Sequence, residues 1–268
     1  MSATLLENVN TLCTGCTVKS RTLCATTNIL GHTELSKISH VKTVPSGGTV
    51  LGDDAEASFV ATVLRGVVRV TKSMRDGREQ IVGLVYPGEF FGRLFADRTS
   101  FSYEAASDLE LCVMDRHGFE AVLQRHPELE HEIMLRGFND LARAYERSML
   151  LTAQSTLERV STYLLVTLDR REQLLEHMSV ELHKRVSVSV LTRRDMASYL
   201  GTTIETISRH VHYLAAQGVI RIIDASHFEV LNHIRLMSIS GLTGSDLTLL
   251  SGRPPSSTTS AVNSGGFA

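Results

Sequence analysis

The sequence lacks the features that would mark a membrane, secreted or strongly charged protein. No apolar run approaches the ~18–20 residues of a membrane span; the densest, Tyr163–Leu168, is far shorter. Met1–Asn10 carries neither the basic nor the apolar region of a secretory signal, so a cytoplasmic chain with no membrane partner is expected. Net charge is only −2, and 43% hydrophobic residues with mean hydropathy near zero describe an ordinary globular protein. The eleven histidines are scattered, His126, His131 and His177 among them, without ligand spacing, and nothing asks for haem. No convergent set of acid, base and nucleophile argues for an enzyme, and no internal repeat is visible. Cysteine is scarce too. Three of the four fall in the first twenty-four residues, which in a reducing compartment points to metal or redox chemistry rather than structural disulfides.

What is present has a clear order. Residues 1–30 form a cysteine-bearing arm, and residues 31–125 read as a small antiparallel roll. Its short strands, Val67–Val70 and Gln80–Val85 among them, are punctuated by Gly47-Gly48, Asp76-Gly77 and Pro87-Gly88. Asp76-Gly77 suits a two-residue hairpin turn. The period then changes: Met134, Phe138, Leu141, Tyr145 and Met149 recur at helical spacing. Pro127 and the acids Glu128, Glu130 and Glu132 suit the start of a helix running to about Thr152, within a segment 126–155. Its apolar seam serves packing on its own domain or dimerisation equally well. A second helix, Leu157 to about Leu168, opens a unit at 156–240, and residues 241–268, rich in Gly, Ser, Thr and Pro, are expected to be disordered. The fold class is α+β.

Leu191–Ile220 carries the most specific pattern. Thr192 can cap a helix through Leu200, Ala197 leaves room for a neighbour, and Gly201 breaks the helix. Thr202-Thr-Ile-Glu205 fits a capping box opening a second helix to about Gln217. In that helix Ile204, Ile207, Val211 and Leu214 form a buried stripe, opposite Glu205, Ser208, Arg209 and His212. Two short helices across a glycine turn are the form of a helix-turn-helix. Val219–Ile223 and Phe228–Leu231 then flank Asp224–His227 as a hairpin wing. Between His183 and Arg221, six basic residues (Lys184, Arg185, Arg193, Arg194, Arg209, Arg221) face two acids, Asp195 and Glu205, a local balance of +4. That suits DNA phosphate, or simply a solvated face. Arg209 can hold guanine through two hydrogen bonds and Glu205 can accept from cytosine. A surface ion pair between them, or a capping role for Glu205, accounts for the same residues.

Cys13-Thr-Gly-Cys16 gives a C-x2-C pair, Cys24 follows after seven residues, and Cys112 lies in an apolar strand where plain core filling also explains it. Four thiolates suit a cubane iron–sulfur cluster or zinc, though a zinc site usually draws on two close pairs.

Taken together, roll, long helix and Leu191–Ile220 resemble the cyclic-AMP-receptor/fumarate-nitrate-reductase (Crp/Fnr) superfamily over about residues 10–240. Glu205-Thr-Ile-Ser-Arg209 matches the Glu-x-x-Ser-Arg signature of its oxygen-sensing iron–sulfur branch, which also carries an N-terminal cysteine trio and a fourth cysteine at the end of the roll. The resemblance implies a dimeric activator with a [4Fe-4S] cluster on Cys13, Cys16, Cys24 and Cys112. Such a protein binds TTGAT-like palindromes without oxygen, releases DNA when oxygen degrades the cluster, and contacts RNA polymerase, here through roll loops near Asp76 or Glu89–Asp97. Glu205, Ser208, Arg209, Thr192, Arg193, Thr203 and His212 become the expected DNA contacts. The cyclic-nucleotide branch places an acid where Arg93 stands and a phosphate-binding Arg where Phe101-Ser-Tyr-Glu104 stands, so no cyclic nucleotide is expected. A regulator using zinc, thiol redox or haem, and an iron–sulfur redox protein, are the alternatives.

Overall fold

The computed structural model describes Cys13 and residues 15–177, 186–188 and 191–253. Two short 3-10 turns, Lys19–Arg21 and Leu23–Ala25, lead to α1 (Ile29–Ile38), which Asn28 caps by accepting from the Gly31 amide at 2.9 Å. Eight strands follow: β1 (Ser39–Val44), β2 (Thr49–Leu51), β3 (Phe59–Arg65), β4 (Val68–Ser73), β5 (Glu79–Val85), β6 (Phe90–Gly92), β7 (Ser102–Ala105) and β8 (Leu109–Asp115). They form two antiparallel sheets, β1-β8-β3-β6 and β2-β7-β4-β5. Val44, Ala61, Val63, Val68, Phe91 and Leu111 fill the space between them. Such alternation of inward and outward residues is what closes a roll. Its β4–β5 hairpin departs from the expected two-residue turn. The loop is Arg75-Asp76-Gly77, with Met74 donating to the Arg78 carbonyl at 2.7 Å and Gly77 in the left-handed region at φ 83°. A type I turn followed by a left-handed glycine gives this three-residue form.

The helices follow in order: α2 (Arg116–Arg125), α3 (Pro127–Ala153) and α4 (Thr156–His177). α4 runs well past the Leu168 suggested by apolar periodicity. Its last turns are fixed by the buried polar residues Arg170 and Gln173, whose partners are remote in sequence. Then come β9 (Val186–Val188), α5 (Arg193–Leu200), α6 (Ile204–Ala216), β10 (Ile220–Ile222), β11 (His227–Val230), α7 (His233–Ser240) and α8 (Gly244–Ser251). The hairpin wing gains β9 as a third strand, paired to β11. One core joins α4 (Leu164, Leu168), α5 (Met196), α6 (Ile207, Val211, Leu214), the wing (Phe228) and α7 (Leu236).

The expectation of disorder from Gly241 onward is corrected for residues 241–253. Thr243 and Asp246 form a capping box that starts α8, and Leu247 and Ser251 are buried. Polar residues in this stretch, Thr243, Asp246 and Ser251 among them, satisfy helix ends and buried partners, whereas composition alone reads them as disorder. Residues 254–268 lie outside the described residues.

Candidate functional sites

Strand alternation decides where Cys112 points. In β8, Leu109, Leu111 and Val113 enter the roll core, so Cys112, between Leu111 and Val113, projects from the opposite face. It sits mid-sheet, opposite Val41 of β1 and Thr62 of β3. On that outer face Leu23, Leu35, Met114 and Phe119 make a second core, against which Cys24 packs. Filling the roll core is therefore not the role of Cys112.

The four cysteines line one pocket. Cys13, Cys16 and Cys24 come from the arm and Cys112 from the sheet, with Leu35, Leu64, Met114 and Phe119 making the walls apolar and Lys19 and His32 the only basic side chains among the lining residues. The Thr22 hydroxyl accepts from the Cys24 amide at 3.2 Å and so folds the arm back. Burial pushes the Cys112 thiol up to about 11, against an opposing hydrogen bond from Ser39, with the other three cysteines adding to the rise. Burial also raises Cys24, and raises Cys13 with help from Cys24 and Cys16. Thiols so placed stay protonated and inert until a bound cation supplies the charge that stabilises thiolate. Among the described residues no three Cys, His, Asp or Glu side chains converge on one point as a single ion requires.

The roll residues where a nucleotide-binding branch carries its contacts are engaged with one another or with neighbours. Phe91 and Tyr103 stack inside it at 5.2 Å. Arg93 donates to Ser100 Oγ at 2.7 Å, and the Glu104 carboxylate is paired with Arg69 at 2.8 Å.

The second site is the α5–α6 pair. Thr192 caps α5, its hydroxyl accepting from the Asp195 amide at 3.1 Å. Gly201 ends the helix at φ 61°, in the left-handed region that glycine tolerates best. Arg159 of α4 donates to the Leu200 carbonyl at 2.6 Å and fixes the turn. Thr203, not Thr202, caps α6 and accepts from Thr206, which corrects the expected capping box. Glu205 is thereby one position too early to close a box, although a hydrogen bond from its own amide, and after it one to Thr203, holds its carboxyl low. Ile207, Val211 and Leu214 are buried as expected, whereas Ile204 is exposed because the first turn overhangs the core. Glu205, Arg209 and His212 are exposed and Ser208 is half-buried on the outward face. No ion pair joins Glu205 to Arg209 among the described residues, and both side chains are exposed.

The basic patch is thinner than its count suggests. Arg221 is paired with Glu229, its direct partner across the wing. Arg193 is half-buried against the Met196 sulfur at 3.7 Å, and Lys184 and Arg185 lie outside the described residues. Arg194 and Arg209 remain exposed.

Sequence reasoning missed the docking of α5 on the roll. Arg69 pairs with Asp195 at 3.0 Å, the Ile81 amide donates to Ser198 Oγ at 3.0 Å, and Arg147 of α3 donates to the Ile81 and Tyr199 carbonyls, each at 2.9 Å. These partners lie more than fifty residues apart in most cases, so no local pattern announces them.

The α3 seam is also resolved. Met134, Leu135, Phe138, Leu141, Tyr145 and Met149 are all exposed, Tyr145 by 68%, whereas Leu129 and Leu150 at the ends are buried. The seam therefore does not pack on its own domain.

Two family models match the chain: a cyclic nucleotide-binding domain over residues 41–126 and a Crp-like helix-turn-helix domain over residues 158–239. The transcriptional activator protein FnrL of Cereibacter sphaeroides is 31% identical over 229 residues, 85% of this chain and 92% of its own length. The nitrogen fixation regulation protein FixK of Azorhizobium caulinodans is 38% identical over 171 residues, 64% of this chain and 67% of its own. The solved structure of FixK2 from Bradyrhizobium japonicum superposes with a TM-score of 0.68 at 26% identity, covering 77% of this chain and 99% of that one. No helix among the described residues is long and apolar enough to cross a membrane.

Proposed function

The chain belongs to the Crp/Fnr family of transcription regulators, and on that premise we propose that it is an oxygen-responsive, homodimeric activator whose DNA affinity depends on a [4Fe-4S] cluster. One observation carries the sensor part: Cys13, Cys16, Cys24 and Cys112, from segments some ninety residues apart, line a single apolar pocket. The donor set fits the group: three thiols from the arm share a pocket with one from the sheet, the four thiolates that a cubane cluster needs. When bound, the cluster supplies an oxygen-sensitive link among four thiolates.

What the chain does follows from which wall is able to move. The pocket between the cysteines has one wall from the sheet and one from the arm. Cys112 is fixed at the centre of a sheet, bonded on both sides by β1 and β3. The arm is held by two short turns and the buried Val18 and Leu23, so the arm is the wall that yields. It touches α3 directly, Arg136 Nη1 donating to the Arg21 carbonyl at 3.1 Å. Arm position thus bears on the helix that carries the exposed seam.

Pairing of two seams is the act that makes a DNA reader. A two-fold pair of α6 helices meets successive major grooves about one turn apart, with Glu205 and Arg209 at the base edges of TTGAT-like half-sites. On this reading Ser208 and His212 share the face of Glu205 and Arg209, and Thr192, Arg193 and Thr203 are further DNA contacts. RNA polymerase is the further partner, reached through the loops near Asp76 and Glu89–Asp97. Arg93, Glu104 and the Phe91–Tyr103 stack oppose a cyclic-nucleotide ligand.

The test is purification without air. About four irons and four sulfides per chain, with a visible band lost together with DNA affinity on exposure to air, are expected. Colourless protein holding one zinc per chain, with DNA binding indifferent to air, would replace this reading with a zinc-stabilised regulator.

A further inference from the structure

The cysteine arm is gripped from outside the pocket at Arg21, between Cys16 and Cys24. Besides the bond from Arg136 to its carbonyl, its guanidinium donates to Gln173 Oε1 of α4 at 3.4 Å. Gly88, at φ 89°, makes room for it: a Cβ there would stand 2.8 Å from the Arg21 Cβ.

Behind Gln173 lies α8, which neither matched family model covers. Gln173 Nε2 donates to Ser251 Oγ at 3.3 Å and to Asp169 at 2.8 Å. Arg170 donates to the Leu250 carbonyl at 3.3 Å and to Glu89 at 2.7 Å. Arg253 closes the helix onto Asp169 at 3.0 Å and Glu176 at 3.4 Å. One turn of α4 is therefore held by the arm on one side and by α8 on the other. On its inner side α8 places Leu247 in the same core as Ile207, Val211 and Leu214 of the reading helix.

We propose that α8 is the joint through which the position of the cysteine arm reaches the DNA-reading unit, with Arg21 as the positioning residue that engages it. The arm's grip is weak by construction. Arg21, Arg170 and Arg253 crowd together near the half-buried Glu89, and burial works against the Arg21 guanidinium; the Glu89 carboxylate favours it and the like charges of Arg170 and Arg253 oppose it. A long hydrogen bond to a neutral amide among like charges forms and breaks at little cost, as a two-state element needs. The polar chain Arg21–Gln173–Ser251 then converts arm displacement into loosening of α8, and Leu247 carries it into the core behind α6. This rests on the proposed function only for what moves the arm; the joint itself is readable without any cluster.

The experiment uses full-length protein, chelator-treated and reduced, and follows alkylation of Cys24 by iodoacetamide with mass spectrometry. Arg21→Ala, and separately a stop after Gly241 that removes α8, should each speed labelling by about threefold to tenfold, the population shift from losing one weak hydrogen bond. The combination should add nothing, since both remove the same link. Gln173→Ala, which keeps α8 but removes the bonds from Gln173 to Arg21 and to Ser251, should speed labelling as Arg21→Ala does, so it decides the matter if the shortened chain does not fold. On a TTGAT palindrome, the ratio of affinities between iron-loaded and iron-free protein should fall toward one in Arg21→Ala. Additive labelling effects, or unchanged labelling in Arg21→Ala and Gln173→Ala, would overturn the joint. Absence of iron from the wild type would sink the sensor reading and leave the labelling result standing.

Discussion

The raised thiol of Cys112 gives a prediction whose size follows from its surroundings. Burial on the outer face of β8 moves its pKa from 9.0 to about 11. At pH 8 an ordinary thiol is about one-tenth thiolate, whereas Cys112 is about one-thousandth, so its nucleophilic form is scarcer by about 100-fold. Cluster-free, reduced protein should therefore alkylate at Cys112 at least about 100-fold more slowly when native than when unfolded in urea, because only thiolate reacts. The native rate should climb tenfold per pH unit without a plateau until about pH 11. The sign for stability follows from the same shift. The folded state disfavours the ionised thiol, so its contribution is complete below pH 9.0 and is lost as pH rises toward 11, roughly 2–3 kcal/mol in all. Metal binding runs oppositely, since each thiol must lose a proton: retention should strengthen with rising pH across the neutral range. A plateau near pH 9, or native labelling within about tenfold of the unfolded rate, would show that Cys112 is not held in an apolar wall.

Other perturbations test the remaining elements. Phe138→Glu, or Leu141→Glu, introduces a charge into the exposed seam twice in a symmetric pair. Either should turn a dimer into a monomer in analytical ultracentrifugation while leaving the melting temperature of the monomer little changed, because neither side chain is in its own core. Arg209→Ala should lower DNA affinity by about 1–3 kcal/mol per half-site and relax discrimination at one base pair; a uniform loss across all half-site variants would mark a backbone contact instead. Gly201→Ala should destabilise the fold by about 1–2 kcal/mol in urea unfolding through conformation alone, since the added Cβ meets only Arg159 Nη1 at 3.6 Å; an unchanged midpoint would refute that strain.

Local pattern was enough to locate the elements that speak for themselves. The steps of four and three from Met134 to Met149 place α3, Gly201 between two apolar stripes places the α5–α6 turn, and the cysteine spacing marks a candidate ligand set. These are legible because periodicity, turn glycines and thiols act over a few residues. Three-dimensional packing decided the rest. Whether the seam was core or surface, and whether Cys112 faced the roll or the arm, depended on which face its neighbours occupied. The last turns of α4 and the helix after Gly241 escaped notice because Arg170, Gln173 and Ser251 look like surface or loop residues. They are buried only because each finds a partner contributed by a distant segment. A polar residue becomes part of an interior when its hydrogen bonds are met there, and that pairing is a property of the whole chain.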